Sequence, residues 1–199
     1  MTRRPRRNSL TSSDAVKTSP RRAELLDRAY EFVLDNGLTG LSLRPLAAAT
    51  GTSPRVLLYL FGSKEGLVRE LLERMRREQL ALLVSGLGGR PDAAGDQVGT
   101  TELVERMWSV LGVPEQRRAV RLTYEAFLAS LRPDPGPWRG FAAEQLGDWL
   151  EVLRAAQRDT PAALADARAT RALALIRGLL LDLLIRDEPD RVTSALRPS

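Results

Sequence analysis

The segment from residue 41 to residue 67, LSLRPLAAATGTSPRVLLYLFGSKEGL, carries two helix-start signals with a glycine between them. Ser42 can cap a helix in which Pro45 falls within the first turn, where proline removes no intrahelical hydrogen bond. Ser53-Pro54 repeats the signal, with serine at the N-cap and proline at the first helical position. Gly51 supplies the sharp turn between the two helices. Because two short helices joined this way present the second one to the major groove of DNA, the segment predicts a helix-turn-helix.

Helices also flank this pair on both sides. The first begins at Ser19-Pro20 and ends at Asn36-Gly37, where glycine can adopt the left-handed conformation. Its apolar stripe consists of Leu25, Leu26, Ala29, Phe32 and Val33. The second helix of the pair, which is the third in the chain, runs from Pro54 to Phe61 and directs Leu57 and Phe61 into a small core. The fourth begins at Lys64 and runs to about Val84, with Leu67, Leu71, Leu72 and Met75 on its apolar side.

The remainder of the chain has helical periodicity and no convincing strand alternation. Residues 85–99 are rich in glycine and predict a loop. Helical patterns follow at about 101–112, 115–131, 138–158 and 161–187. We therefore expect an all-α protein, in which a three-helix helix-turn-helix DNA-binding domain precedes a helical ligand-binding and dimerisation domain. The expected divisions are a disordered basic tail at 1–18, the DNA-binding domain at 19–66 and the effector and dimerisation domain at 67–199.

The composition argues against catalysis. The chain contains no histidine and no cysteine. It therefore lacks the commonest general base, the thiolate nucleophile and the usual zinc ligands. GSKEG at 62–66 is too short for a phosphate-binding P-loop. We expect no enzymatic activity, no metal site and no cofactor. No apolar run reaches membrane-spanning length and no export signal is evident, so a cytoplasmic protein is expected.

Positive charge is concentrated in the N-terminal part. Residues 1–80 hold 15 Lys and Arg against 9 Asp and Glu, whereas residues 81–199 hold 15 against 16. This asymmetry is expected when only the first part meets phosphate. Arg3, Arg4, Arg6 and Arg7 lie in the tail, which either stays solvated or follows the DNA backbone and minor groove as an arm. Of the 30 basic residues only Lys17 and Lys64 are lysines, which favours a GC-rich, bacterial source.

The last long helix is apolar on nearly every face between Leu173 and Ile185. Such a helix must be buried on all sides. In a chain of this size, one face can pack on its own domain and the other on a second copy. Homodimerisation is the preferred interpretation, and a central helix of a monomeric bundle is the alternative. The predicted interface residues are Leu173, Ile176, Leu180, Leu183 and Leu184.

The segment from about Leu25 to Leu67 resembles the DNA-binding domain of TetR-family transcriptional regulators. The resemblance is carried by Gly37, Ser42, Leu46-Ala47, Gly51, Ser53, Phe61, and Ser63-Lys64-Glu65 before Leu67. It implies a homodimer whose third helices enter successive major grooves of a near-palindromic double-stranded DNA operator, about 34–36 Å apart or at a multiple of that. It also implies a repressor that a small-molecule effector releases from the operator. A regulator controlled by a protein partner is the alternative.

The resemblance also implies a set of DNA contacts, namely Ser42, Arg44, Thr52, Ser53, Arg55, Val56, Tyr59 and Lys64. Arg55 is the best candidate for a bidentate guanine contact. Lys64 would hold phosphate at a helix N-terminus. The alternative is that the serines only cap helices, that Tyr59 only covers its helix and that the basic residues are surface charges. Leu58 and Leu60 depart from the family, which often has tyrosine at the first position and histidine or tyrosine at the second.

Most aromatic residues lie beyond residue 100. Concave ligand sites are commonly lined by such side chains together with a few polar groups. We therefore predict an effector pocket between the central helices for a mostly apolar small molecule. An ordinary core is the alternative for each residue taken singly. The lining is drawn from Met107, Trp108, Leu111, Tyr124, Phe127, Leu128 and Trp149.

Overall fold

The computed structural model describes residues 19–88, 99–157 and 160–196. Across these ranges the helices are α1 (Pro20–Asn36), α2 (Leu43–Ala49), α3 (Pro54–Phe61), α4 (Lys64–Gly88), α5 (Thr100–Leu111), α6 (Arg117–Ser130), α7 (Phe141–Ala155), α8 (Ala162–Arg186) and α9 (Pro189–Ser194). Two 3-10 turns, Pro114–Gln116 and Gly136–Trp138, precede α6 and α7. The described residues contain no β-strand, so the predicted all-α fold is confirmed. The predicted basic tail, with its four arginines, lies outside the described residues.

The chain divides into two compact units between Leu71 and Leu72, within α4. The boundary expected from the sequence, between residues 66 and 67, falls earlier in the same helix. The first unit contains α1, α2, α3 and the start of α4. The second contains the rest of α4 and the helices that follow it.

The core of the first unit is built from the apolar stripes that the sequence predicts. Leu25, Ala29 and Val33 of α1 are completely buried. The other helices contribute Leu46, Ala47, Leu57, Phe61, Leu67 and Leu71. Burying one such leucine contributes about 1.5–3 kcal/mol, which offsets the cost of ordering these short helices. Phe32, expected in the stripe, is only half-buried, and Tyr30 is buried instead.

The second unit is organised around α8, which packs mainly against α5 and α7. Alanines at positions 169 and 172 of α8 are completely buried, and their small side chains allow close approach of the neighbouring helices. The largest apolar side chains of the same core are Leu83, Leu103, Met107, Leu111, Trp149, Leu153, Leu173, Ile176 and Leu180. A helix that is apolar on most faces is therefore accommodated largely within its own subunit.

This packing corrects the predicted dimer interface. Leu173, Ile176, Leu180 and Leu183 are buried inside the subunit, so they present no surface to a second copy. Leu184 is only partly exposed and packs against the same core. The large apolar residues that α8 exposes are Leu164 near its start and Leu175, Leu181 and Ile185 in its second half, with exposed fractions of 41%, 52%, 43% and 72%. The sequence showed that α8 is apolar all round but not which side faces inward.

Helix α4 extends to Gly88, past the end predicted at Val84. Residues 85–88, expected to be loop, are its last turn. Gly86 lies within this turn. A Cβ atom on it would lie only 2.8 and 2.9 Å from the two methyl carbons of Val110 on α5, so a larger residue would not fit there. The glycine thus serves close helix packing rather than a turn. The rest of the predicted loop, residues 89–98, lies outside the described residues.

The short helix α9 was not predicted, although Val192 anchors it with almost no exposure. Among the described helices, none is long and apolar enough to cross a membrane.

Candidate nucleic-acid interface

The turn between α2 and α3 is held by backbone and threonine hydrogen bonds. Gly51 has a φ angle of 68°, a left-handed conformation that favours glycine. The Thr52 amide donates to the Ala47 carbonyl at 2.9 Å. Thr50 is completely buried, and both its amide and its hydroxyl donate to the Leu46 carbonyl at 2.9 Å. These bonds satisfy the last carbonyls of α2 and fix the direction in which α3 begins.

The two serines differ in role. The Ser53 hydroxyl accepts from the Val56 amide at 3.3 Å and so caps α3, as the sequence predicts. Ser42 occupies the N-cap position of α2, but its side chain makes no capping hydrogen bond. The prediction that it caps α2 is therefore wrong for the side chain. Ser42 is exposed, which leaves its hydroxyl free to donate to a phosphate.

The outer side of α3 carries the predicted base-reading residues. Leu57 and Phe61 face the core, while Arg55, Val56 and Tyr59 are exposed, Tyr59 by 71%. Thr52 is half-buried in the turn before α3. This division follows from helical geometry, because residues 57 and 61 are four apart and share one side. Leu58, at the position where the family that the segment resembles often has tyrosine, is exposed by 41%.

Arg44 on α2 and Arg55 on α3 are both exposed, and neither forms a salt bridge with any residue the structure describes. An arginine held by a carboxylate would have to break that pair before binding DNA. Here the two guanidinium groups are available to phosphate or to a guanine edge without that cost.

The N-terminus of α4 already holds an anion. The Ser63 hydroxyl accepts from the Gly66 amide at 2.9 Å. Backbone N–H donation, with smaller help from the Ser63 hydroxyl and from Lys64, lowers the pKa of Glu65. A phosphate at this helix end would therefore meet the Lys64 ammonium beside a carboxylate, and the free amide groups available to it are few. The phosphate contact from Lys64 remains a prediction, and the occupied helix N-terminus would contribute less to it than the sequence indicated.

Arg22, which was not among the predicted site residues, holds the end of α3 in place. Its Nε donates to the Leu60 carbonyl at the end of α3 at 3.3 Å, and its guanidinium pairs with Glu70 of α4. The guanidinium also lies over the Phe61 ring, with Cζ 5.0 Å from the ring centroid. One side chain of α1 thus fixes the C-terminal end of α3. Its place in an arginine-rich helix start gave no signal that distinguished it from Arg21.

In the second unit, some predicted effector-pocket residues meet at a small cavity. The cavity is lined by Leu111, Tyr124, Phe127 and Trp149, together with Gln79, Val120, Thr123, Arg177 and Leu180. Its volume is about 20 Å³. That is room for roughly one water molecule, whereas sites for drug-sized ligands measure about 300–1,000 Å³.

The other three predicted residues do not line this cavity. Met107 is completely buried in the helical core. Trp108 is half-buried and packs so closely on Gly112 that a Cβ atom there would lie 2.6 Å from the indole ring. Leu128 is 69% exposed, so its assignment to the pocket is wrong. Successive helical residues point about 100° apart, which directs Leu128 outward while Phe127 faces the cavity.

A chain of buried polar side chains reaches the cavity wall through Gln79 and Thr123. The Gln145 amide donates to the Gln79 side-chain oxygen, and the Gln79 amide donates to the Thr123 hydroxyl. Thr123 donates in turn to the Ala119 carbonyl at 2.8 Å. The Tyr124 hydroxyl donates to the Arg177 carbonyl, and burial raises the pKa of Tyr124 to about 12. These groups were missed because nothing in the local sequence marks Gln79 as buried or Arg177 as half-buried at a cavity.

No group of three or more acidic residues within the described ranges is placed to hold a metal ion. The polar groups at the two sites are arginine, hydroxyl and amide donors on α2 and α3, and aromatic and guanidinium groups in the second unit.

Comparisons with known proteins agree with this geometry. Residues 25–71 match the family model for bacterial regulatory proteins of the tetR family. The matched segment contains the turn, α2, α3 and most of α1, and the match confirms the resemblance predicted from the motifs. No curated protein matches the chain.

Several solved structures share the fold over most of the chain. A transcriptional regulator from Rhodococcus sp. Rha1 has a TM-score of 0.68 at 20% identity, covering 88% of this chain and 91% of its own. A TetR transcriptional regulator from Legionella pneumophila has a TM-score of 0.64 at 16% identity, covering 89% and 94%. The multidrug binding protein EbrR, complexed with imidazole, has a TM-score of 0.62 at 27% identity, covering 92% and 93%.

Proposed function

We propose that this chain, a DNA-binding transcriptional regulator of the TetR family, is a repressor that binds a near-palindromic operator as a homodimer and leaves it when a small molecule binds. The observation that carries the proposal is the outer side of α3, where Arg55, Val56 and Tyr59 are exposed on a short helix fixed by a capped turn. Arg55 would read a guanine edge, while Ser42, Arg44 and Lys64 would hold phosphate. Such a protein works in the cytoplasm, where bacterial DNA lies.

The exposed side of α8 supports the homodimer. Leu175, Gly178, Leu181 and Ile185 follow helical spacing along one side of α8, and three of them are exposed apolar side chains. Exposed apolar rows of this kind mark association surfaces. We infer that two copies pair through this side of α8, in place of the buried leucines that the sequence analysis selected.

The cavity of the second unit supports control by a small molecule. Its lining is mostly apolar and aromatic, with a few polar groups, as ligand sites are. EbrR, which is similar in fold and 27% identical, is a multidrug binding protein. We infer that this chain likewise binds a mostly apolar effector, that the cavity widens to receive it, and that binding changes the spacing of the two α3 helices in the dimer.

The dimer is tested with matched surface substitutions. Ile185→Glu places a charge in the row on α8, whereas Leu128→Glu places one at an equally exposed leucine elsewhere. Analytical ultracentrifugation should show that Ile185→Glu is monomeric at micromolar concentration and that Leu128→Glu remains dimeric. A dimer unaffected by Ile185→Glu would rule out this side of α8 as the interface.

Operator control is tested by fluorescence anisotropy on labelled duplexes taken from beside the gene. Specific binding should exceed binding to a scrambled duplex by about 10³-fold or more at physiological salt. Compounds that stabilise the protein thermally should then release the specific duplex. If every stabilising compound left the complex intact, effector control would be refuted while DNA binding would still hold.

A further inference from the structure

The cavity of the second unit contains an arginine without an acidic partner. Arg177 lines the cavity, and its Cζ lies 4.8 Å from the centroid of the Phe127 ring. Its Nε and Nη2 atoms are buried and have no hydrogen-bond partner among the described residues. No described carboxylate forms a salt bridge with it, and burial is the largest cause of its lowered pKa. Burying part of a guanidinium in this way is costly unless an anion compensates it.

A second unsatisfied donor lines the same cavity. Trp149 is 5% exposed, and its indole Nε1–H is buried with no acceptor in the part of the chain that the structure describes. The other polar groups of the lining bond with one another or with backbone, as Thr123, Gln79 and Tyr124 do. Gln145 Oε1 is an unsatisfied acceptor, but Gln145 does not line the cavity. The buried polar atoms on the cavity wall that lack a hydrogen-bond partner among the described residues are therefore all nitrogen donors, two on Arg177 and one on Trp149.

We propose that the cavity binds an amphiphilic anion, a small molecule with an apolar body and one carboxylate or similar oxyanion, and that Arg177 holds the anionic group. This deepens the proposed function and rests on it, because the cavity is taken to be the effector site. A guanidinium fork matches a carboxylate bidentately, and the Trp149 N–H supplies a further donor. Leu111, Val120 and Leu180 provide an apolar wall for the body of the ligand.

Phe127 is the side chain that must move. Its ring covers the guanidinium and also packs on Tyr124 and Phe141, with centroids 6.3 and 5.9 Å away. The cavity of about 20 Å³ is too small for an aromatic ligand until this half-buried ring rotates. Rotation removes the contact between the ring and the cation. An incoming carboxylate replaces that contact with charge-assisted hydrogen bonds, which offset the cost of the movement.

The test compares ligands that differ only in charge. The panel consists of three matched sets with naphthyl, biphenyl and dodecyl bodies, each as the carboxylate, the primary amide and the ammonium. Isothermal titration on the full chain should give carboxylates a Kd at least about tenfold below that of the amides, with the ammonium compounds weakest. Amides that bind as tightly as carboxylates in every set, or a panel in which no carboxylate binds, would overturn the proposal.

Variants identify the residue responsible. Arg177→Met should abolish the preference for carboxylates. Arg177→Lys should retain part of it, because the charge remains while the fork is lost. Arg132→Met is the matched control, since Arg132 is exposed and makes no described ion pair. Circular dichroism verifies folding, and Arg177→Lys keeps the test decisive if Arg177→Met does not fold. A carboxylate preference that is unchanged in both Arg177 variants would refute the role of Arg177.

Ligand binding and operator release together separate the anion site at Arg177 from effector control of DNA binding. Carboxylates that bind through Arg177 but leave the operator complex intact would support the anion site and refute effector control at this cavity. Neutral compounds that release the operator with no dependence on Arg177 would support effector control and refute the anion site.

Discussion

Gly86→Ala should destabilise the second unit through a direct clash between α4 and α5. The new methyl would lie 2.8 and 2.9 Å from the two Val110 methyl carbons and 3.2 Å from the Arg106 carbonyl oxygen. Valine in a helix strongly prefers one χ1 rotamer, so Val110 can turn both methyls away from the intruding carbon only by leaving that rotamer. Overpacking costs about 1–3 kcal/mol, whereas Gly to Ala in a helix gains roughly 0.5–1 kcal/mol. We expect a net loss of about 1–2 kcal/mol in the free energy of unfolding, measured by urea denaturation followed by circular dichroism.

The matched control is Gly147→Ala in the interior of α7, where a Cβ atom meets nothing within 4 Å. It should raise the free energy of unfolding by roughly 0.5–1 kcal/mol. Val110→Ala creates the space that Gly86→Ala needs, so the double variant should be more stable than the sum of the single effects by about 1 kcal/mol or more. The reasoning is refuted if Gly86→Ala is as stable as Gly147→Ala, or if the two substitutions are additive.

Two further predictions concern the DNA-binding unit. Arg22→Met retains an apolar stem but removes the bond to the Leu60 carbonyl and the pair with Glu70, so it should weaken operator binding and increase hydrogen exchange in α3. Arg21→Met, which affects only an exposed pair with Glu24, should leave operator binding and hydrogen exchange in α3 unchanged. Equal effects of Arg21→Met and Arg22→Met would refute the positioning role of Arg22. Arg55→Ala should relax base preference by about 1–3 kcal/mol, whereas Lys64→Ala should weaken all sequences alike and lower the salt slope by about one, both measured by anisotropy over a salt series. Equal losses across sequences in the two variants would remove Arg55 as a base reader.

Local signals predicted the N-terminal helices well. Ser19-Pro20 and Ser53-Pro54 begin α1 and α3, and both helices end where the sequence indicated. Caps, prolines and glycines act within a turn of the helix end, so they do not depend on distant residues. The same signals failed where a glycine serves packing. The glycine-rich sequence around Gly86 predicted a loop, but Gly86 lies in α4, where Val110 of α5 occupies the space that a side chain would take.

Burial in the second unit could not be predicted as well. Leu128 and Phe127 are adjacent apolar residues, and only the position of α6 against its neighbours directs one outward and the other to the cavity. Arg177 is one of many arginines in the sequence. Its lack of an acidic partner is visible only when the surrounding helices are in place. The partnership of Arg22 with the end of α3 is likewise a contact between residues 38 positions apart.

The sequence by itself determined the helical class, the position of the helix-turn-helix and the side of α3 that faces outward, because each depends on periodicity and capping within a few residues. The tertiary structure decided which side of α8 is buried, which aromatic residues meet at the cavity, and that Arg177 lines the cavity without a salt bridge to any carboxylate that the structure describes. The physical reason is that burial and charge pairing depend on what the other helices bring alongside a residue. In a nearly uniformly apolar helix such as α8, the local sequence does not indicate which side is buried.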